Sequence, residues 1–116
     1  MKPLNMIGDS MEFTKMTEWD PRLEGSYLIG TINPTYAQLV DAFGEPSATL
    51  IDGKTQAEWW LEFDDGTVCA IWDYRSCIPV EEVTVWSVIA RDCDSIVVDH
   101  ITRELAYALV RNSDAD

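Results

Sequence analysis

Glu58, Glu62, Asp64, Asp65 and Asp73 crowd into one stretch around the Asp65-Gly66 pair. Carboxylates so spaced have three chemistries open to them: holding a hard cation, acid–base catalysis, or presenting negative charge to a partner. A calcium loop needs ligands alternating over about twelve residues and a closing Glu, a pattern this stretch lacks. Acid–base work by Glu58 and Glu62 would need a nucleophile or an oxyanion donor, and every serine lacks a neighbouring histidine. Gly30, Gly44, Gly53 and Gly66 stand singly rather than in a phosphate-cradling loop. The expectation is a non-enzymatic chain with no metal and no cofactor, whose Asp64 and Asp65 favour a bend. Cys69, Cys77 and Cys93 show no metal-ligand spacing and are expected as reduced thiols, a Cys69–Cys77 disulfide requiring an oxidising compartment. His100 is expected in a solvated or capping role.

Presentation of charge is therefore the chemistry to weigh. The chain carries 21 Asp+Glu against 8 Lys+Arg, a net charge of −13 on 116 residues. With 47% hydrophobic residues and five tryptophans it is too apolar for a disordered acidic tail. Its length suits one domain, burying roughly 65% of the unfolded surface. Such charge repels nucleic acid and anionic membrane and speeds encounter with basic protein surfaces. Trp59, Trp60, Trp72, Tyr74 and Trp86 resemble a base-stacking platform, but Lys54, Arg75 and Arg91 are too few for a phosphate groove. No run of about 18 apolar residues and no signal-peptide core is present, so a cytoplasmic location is expected.

The elements that must position these groups follow from local pattern. Residues 1–24 read as an irregular N-terminal arm, and Tyr27 to Ile32 as a strand. Asn33 as cap, Pro34 in the first turn, the stripe Tyr36, Leu39, Val40 and Phe43, and Gly44 before Pro46 predict a helix over 34–43. After a polar loop at 52–55, residues 56–63 and 67–74 form a hairpin at Asp65-Gly66, and 82–90 form another strand. Asp92, Asp94 and Ser95 open a second helix, with Val97, Ile101, Leu105 and Leu109 in one row, and 112–116 fray. The order strand-helix-strand-strand-strand-helix specifies a two-layer α+β domain over 25–111, with an antiparallel sheet of about four strands.

A two-residue turn at Asp65-Gly66 would pair Phe63 with Val68, Leu61 with Ala70 and Trp59 with Trp72 on the core face. Glu62, Trp60 beside Ile71, and Glu58 beside Asp73 would then point outward. A three-residue loop would slip the register by one and mix the faces, so the first register is expected.

Residues 27–90 resemble a loose group of small, uncharacterised phage-encoded proteins. The likeness lies in Gly30-Thr31-Ile32-Asn33-Pro34-Thr35-Tyr36, Leu39-Val40, Phe43-Gly44-Glu45-Pro46, Lys54 to Trp59, Phe63 to Val68, and Ile71 to Tyr74. It implies the fold order and carries over no functional residue. Phage origin brings an analogy of charge and size with acidic anti-restriction and anti-CRISPR proteins that imitate DNA. The expected function is a non-enzymatic inhibitor that blocks the basic surface of a bacterial nucleic-acid-binding defence complex in the host cytoplasm. Glu58, Glu62, Asp64, Asp65 and Asp73 would form a phosphate-like array, Trp60 an apolar anchor unless the N-terminal arm or second helix covers it, and Asp92 and Asp94 a second patch. The alternative is an acidic structural or assembly protein, with room for a homodimer.

Overall fold

β-Branched and aromatic residues favour extended backbone, and among the described residues six segments form strands: β1 (Phe13–Met16), β2 (Tyr27–Ile32), β3 (Ala48–Ile51), β4 (Thr55–Phe63), β5 (Val68–Trp72) and β6 (Trp86–Ala90). Two helices, α1 (Tyr36–Phe43) and α2 (Ile96–Asp114), complete an α+β fold. The computed structural model describes residues 12–51, 54–74, 76–91 and 96–114. Every strand pair is antiparallel, in the order β1-β4-β5-β6-β2. The long β4 shares one edge between two partners: β3 lies along its start, with Ile51 opposite Thr55, and β1 along its end, with Phe13 opposite Phe63. These two short strands raise the count from about four to six. One lies in the arm expected to be irregular, the other just before the polar loop.

The helix α1 begins later than expected. Thr35, not Asn33, is its cap: Thr35 Oγ1 accepts the Gln38 N–H at 3.1 Å, and Gln38 Oε1 accepts the Thr35 N–H at 2.8 Å. Asn33 and Pro34 instead anchor the helix entry to the lead-in of β6. Asn33 Nδ2 donates to the Thr84 carbonyl at 3.2 Å, and the Pro34 carbonyl accepts Trp86 Nε1–H at 2.9 Å. Gly44, at φ 85°, ends the helix.

Along α2 the buried residues are Val97, His100, Ile101, Glu104 and Ala108, while Leu109 is 57% exposed. An i+4 row drifts about 40° per step around a helix of 3.6 residues per turn, so by Leu109 the row has left the sheet. The helix also continues to Asp114, through positions expected to fray. Where α2 crosses β2, a Cβ on Gly30 would lie 3.1 Å from Val98 Cγ2, so a bare backbone lets the helix settle.

The hairpin adopts the register that was not expected. Leu61 faces Cys69, Trp59 faces Ile71 and Glu62 faces Val68. Phe63 N–H donates to the Thr67 carbonyl at 2.9 Å across a three-residue loop, 64–66, in which Gly66 takes φ 89°. Segregation of one apolar and one acidic face did not decide the register because both faces are covered. On the helix side, Trp59, Leu61, Phe63, Cys69 and Ile71 pack with Leu39, Phe43, Trp86, Val88, Val97 and Ile101. On the other side, Leu23, Trp60, Ala70 and Ile89 form a second cluster with Met16, Val68 and Trp72. The 3-10 turn Pro21–Leu23, capped by Asp20, delivers Leu23 to that face. Residues beyond 12 in the supposed arm are thus ordered, and they cover the sheet.

Cys69 is a buried free thiol whose ionisation burial pushes up, and Cys77 is exposed. Cys93 lies outside the described residues. Among these residues no helix is long and apolar enough to cross a membrane.

Candidate functional site

Three of the residues expected to face a partner are interior. Glu58 is 3% exposed: it accepts Thr55 Oγ1–H at 2.9 Å and Trp60 Nε1–H at 2.7 Å. Asp73 is 2% exposed, and its Oδ1 accepts the backbone N–H groups of Gln56 at 2.8 Å and Ala57 at 3.2 Å. Its Oδ2 accepts Gln56 Nε2–H at 3.0 Å. A buried carboxylate so supplied with donors is a structural group. Trp60 lies beneath the N-terminal segment, with the Trp19 ring edge-on at 5.6 Å and Leu23 in the same cluster, so it is no exposed anchor.

Glu62 and Asp65 stay at the surface but are engaged. The Arg22 guanidinium donates to both Glu62 oxygens at 3.1 Å, and to Asp20 Oδ1 at 3.0 Å and Oδ2 at 2.8 Å. These contacts hold Glu62 below the usual carboxylate range and Asp20 at about 2, and they raise Arg22. Asp65 Oδ1 accepts the hydroxyl and N–H of Thr67, and Oδ2 lies 2.7 Å from His100 Nε2. Burial opposes ionisation of Asp65, but the Thr67 hydroxyl, His100 and the Thr67 amide outweigh it and bring the carboxyl down to about 2. His100 is therefore neither solvated nor a cap. It is buried against Phe63 and ties α2 to the hairpin turn.

Asp64 is exposed in the turn, its N–H donating to the Glu12 carbonyl at 2.9 Å. Asp92 and Asp94 lie outside the described residues. The single phosphate-like array is thus not formed: Glu58 and Asp73 are interior, and a guanidinium compensates Glu62.

Exposed acid gathers instead at corners of the body. Glu12 and Asp64 flank the hairpin tip, and Glu18 and Glu24 flank the first 3-10 turn. Glu81 and Glu82 lie in a second 3-10 turn, Val80–Glu82, beside α1. Tyr36 is raised above its usual range, first by burial and then by the charges of Glu45 and Glu81.

A groove that the sequence reading missed lies between α1 and α2, above the end of β2. Its volume is about 570 Å³, lined by Thr31, Ile32, Asn33, Ala37, Gln38, Asp41, Thr102, Leu105 and Leu109, among others. At the α2 end, Arg111 Nη2–H reaches the Asp41 carbonyl at 3.3 Å. Helical period was the available signal, since it turns Leu109 away from the sheet. Among the described residues no group of three His, Cys, Asp or Glu could hold a metal ion. No family model, curated protein or solved structure matches this chain.

Proposed function

We propose that this chain is a non-enzymatic binding protein that occupies a basic protein surface, acting as a phage-type inhibitor of a bacterial nucleic-acid-binding defence complex of the CRISPR or restriction kind. The observation that carries this reading is the net charge of −13 on a body of 44 × 32 × 22 Å whose exposed carboxylates stand at several corners. Charge so placed draws a basic surface from many approach directions and acts first on the rate of association. The choice of partner class and of a bacterial cytoplasmic setting is drawn by analogy of charge and size with acidic anti-restriction and anti-CRISPR proteins. The proposed contact set is Glu45, Glu81 and Glu82 with Asp64, in place of the hairpin face.

The test is DNA binding by purified CRISPR effector and restriction complexes, followed by mobility shift with the protein added at low and high salt. Loss of the DNA-bound species at low salt, reversed by salt and by the variant Glu45→Lys, Glu81→Lys, Glu82→Lys, is the expected result. Undisturbed DNA binding by every complex overturns it. The second reading, an acidic structural or assembly protein, is favoured by the compensation of Glu62 by Arg22. It predicts a salt-indifferent oligomer and no effect on DNA binding.

A further inference from the structure

We infer that the outer edge of β2 and the adjoining groove between α1 and α2 form one docking site for an extended basic segment of a protein partner. The segment adds to the sheet as a further strand and seats a side chain in the groove. This rests on the reading above that the partner is basic.

Three observations converge on it. First, β2 ends the sheet order and pairs with β6 alone among the described strands. Its six residues, Tyr27–Ile32, include no charge and no proline, two of the devices that protect an edge, and Leu28 is 60% exposed. The register irregularity between Leu28 and Gly30 leaves Gly30 to Ile32 in regular pairing with Val88 to Trp86. Second, that regular stretch is the part of β2 that reaches the groove, whose volume of about 570 Å³ accommodates side chains of a bound chain. Strand addition obtains affinity from main-chain hydrogen bonds and selectivity from such a pocket. Third, charge selects the occupant. The lining includes the acidic Asp41, whose carbonyl accepts Arg111 Nη2–H at the α2 end, so the selecting charge is that of the whole chain. A second copy of the chain would bring another −13 to the same edge, whereas a lysine- or arginine-bearing strand is attracted.

The experiment titrates the intact protein with a short peptide of alternating lysine and valine, and with its glutamate–valine counterpart, followed by amide NMR shifts and fluorescence polarisation. The basic peptide is expected to bind with the largest shifts at residues 28–32, Gln38 and Thr102, and the acidic one at least about tenfold more weakly. Ala106→Trp, which fills the groove from an exposed position, and Leu28→Lys, which charges the edge, should each weaken binding about tenfold with unchanged thermal stability. Leu28→Glu should leave binding intact. Shifts confined to the acidic corners, or binding indifferent to Ala106→Trp and Leu28→Lys, would overturn the docking site while leaving the basic-partner reading in place. Equal binding of the acidic peptide would remove the charge argument, and with it both readings. Concentration-dependent dimerisation abolished by Leu28→Lys would assign the edge to a second copy and overturn the proposal.

Discussion

Glu58 Oε1 accepts the indole N–H of Trp60 at 2.7 Å, from two residues along the same strand and beneath the same cover. Together with Thr55, these residues form a closed polar group inside the second cluster, where a lost donor or acceptor has no water to replace it. Glu58→Ala should destabilise the fold by about 2–4 kcal/mol, because the Thr55 hydroxyl and the Trp60 indole N–H are both left unsatisfied. Glu58→Gln, which keeps one oxygen acceptor, should cost less. Urea unfolding followed by tryptophan fluorescence measures both. Charge reversal at Glu58 would disrupt the hairpin and so says nothing about a partner.

Asp73 plays the corresponding role where β4 begins, collecting two backbone N–H groups and the Gln56 amide. Asp73→Ala should cost about 3 kcal/mol and speed hydrogen exchange at the Gln56 and Ala57 amides well before it affects the far end of β4. Uniform exchange along the strand would show that the carboxylate does not hold this end.

The Asp65 carboxyl sits at about 2, below its ordinary 3.8, when folded. A depressed folded pKa contributes stability that is fully present above the unfolded value and is lost as pH falls through the folded one. Melting temperature should therefore drop between about pH 4 and pH 2, as Asp65 is protonated and its bonds to Thr67 and His100 weaken. Asp20, also held at about 2, contributes in the same window. In Asp65→Asn the decline should be shallower, and an unchanged slope would assign the acid sensitivity elsewhere.

Local signals were legible where one element decides its own conformation. The stripe Leu39–Phe43 with its Gly44 stop predicted α1, and Asp65-Gly66 predicted the hairpin. Their details depended on distant residues. Thr35 takes the cap because Asn33 and Pro34 are engaged by the lead-in and first residue of β6. The hairpin register could not be read from face segregation, since Leu23 and Trp19 cover the face assumed to be solvated. That cover also explains the failure of the candidate site: alternation on a hairpin distinguishes inside from outside only when one side is wet. Glu58 and Asp73 looked like surface acid because the donors that satisfy them, Thr55, Trp60, Gln56 and Ala57, become their partners only through the fold. Net charge needed no fold to be read, but the corners that carry it did.

One kinetic measurement tests steering by acid most directly: the association rate constant between this protein and a nucleic-acid-binding defence complex, followed against ionic strength for the wild type and for Glu45→Lys, Glu81→Lys, Glu82→Lys. Steering by exposed acid predicts a rate that falls steeply as salt rises and a flatter, slower variant, with dissociation changed far less. Rates that ignore both salt and the three substitutions would contradict it.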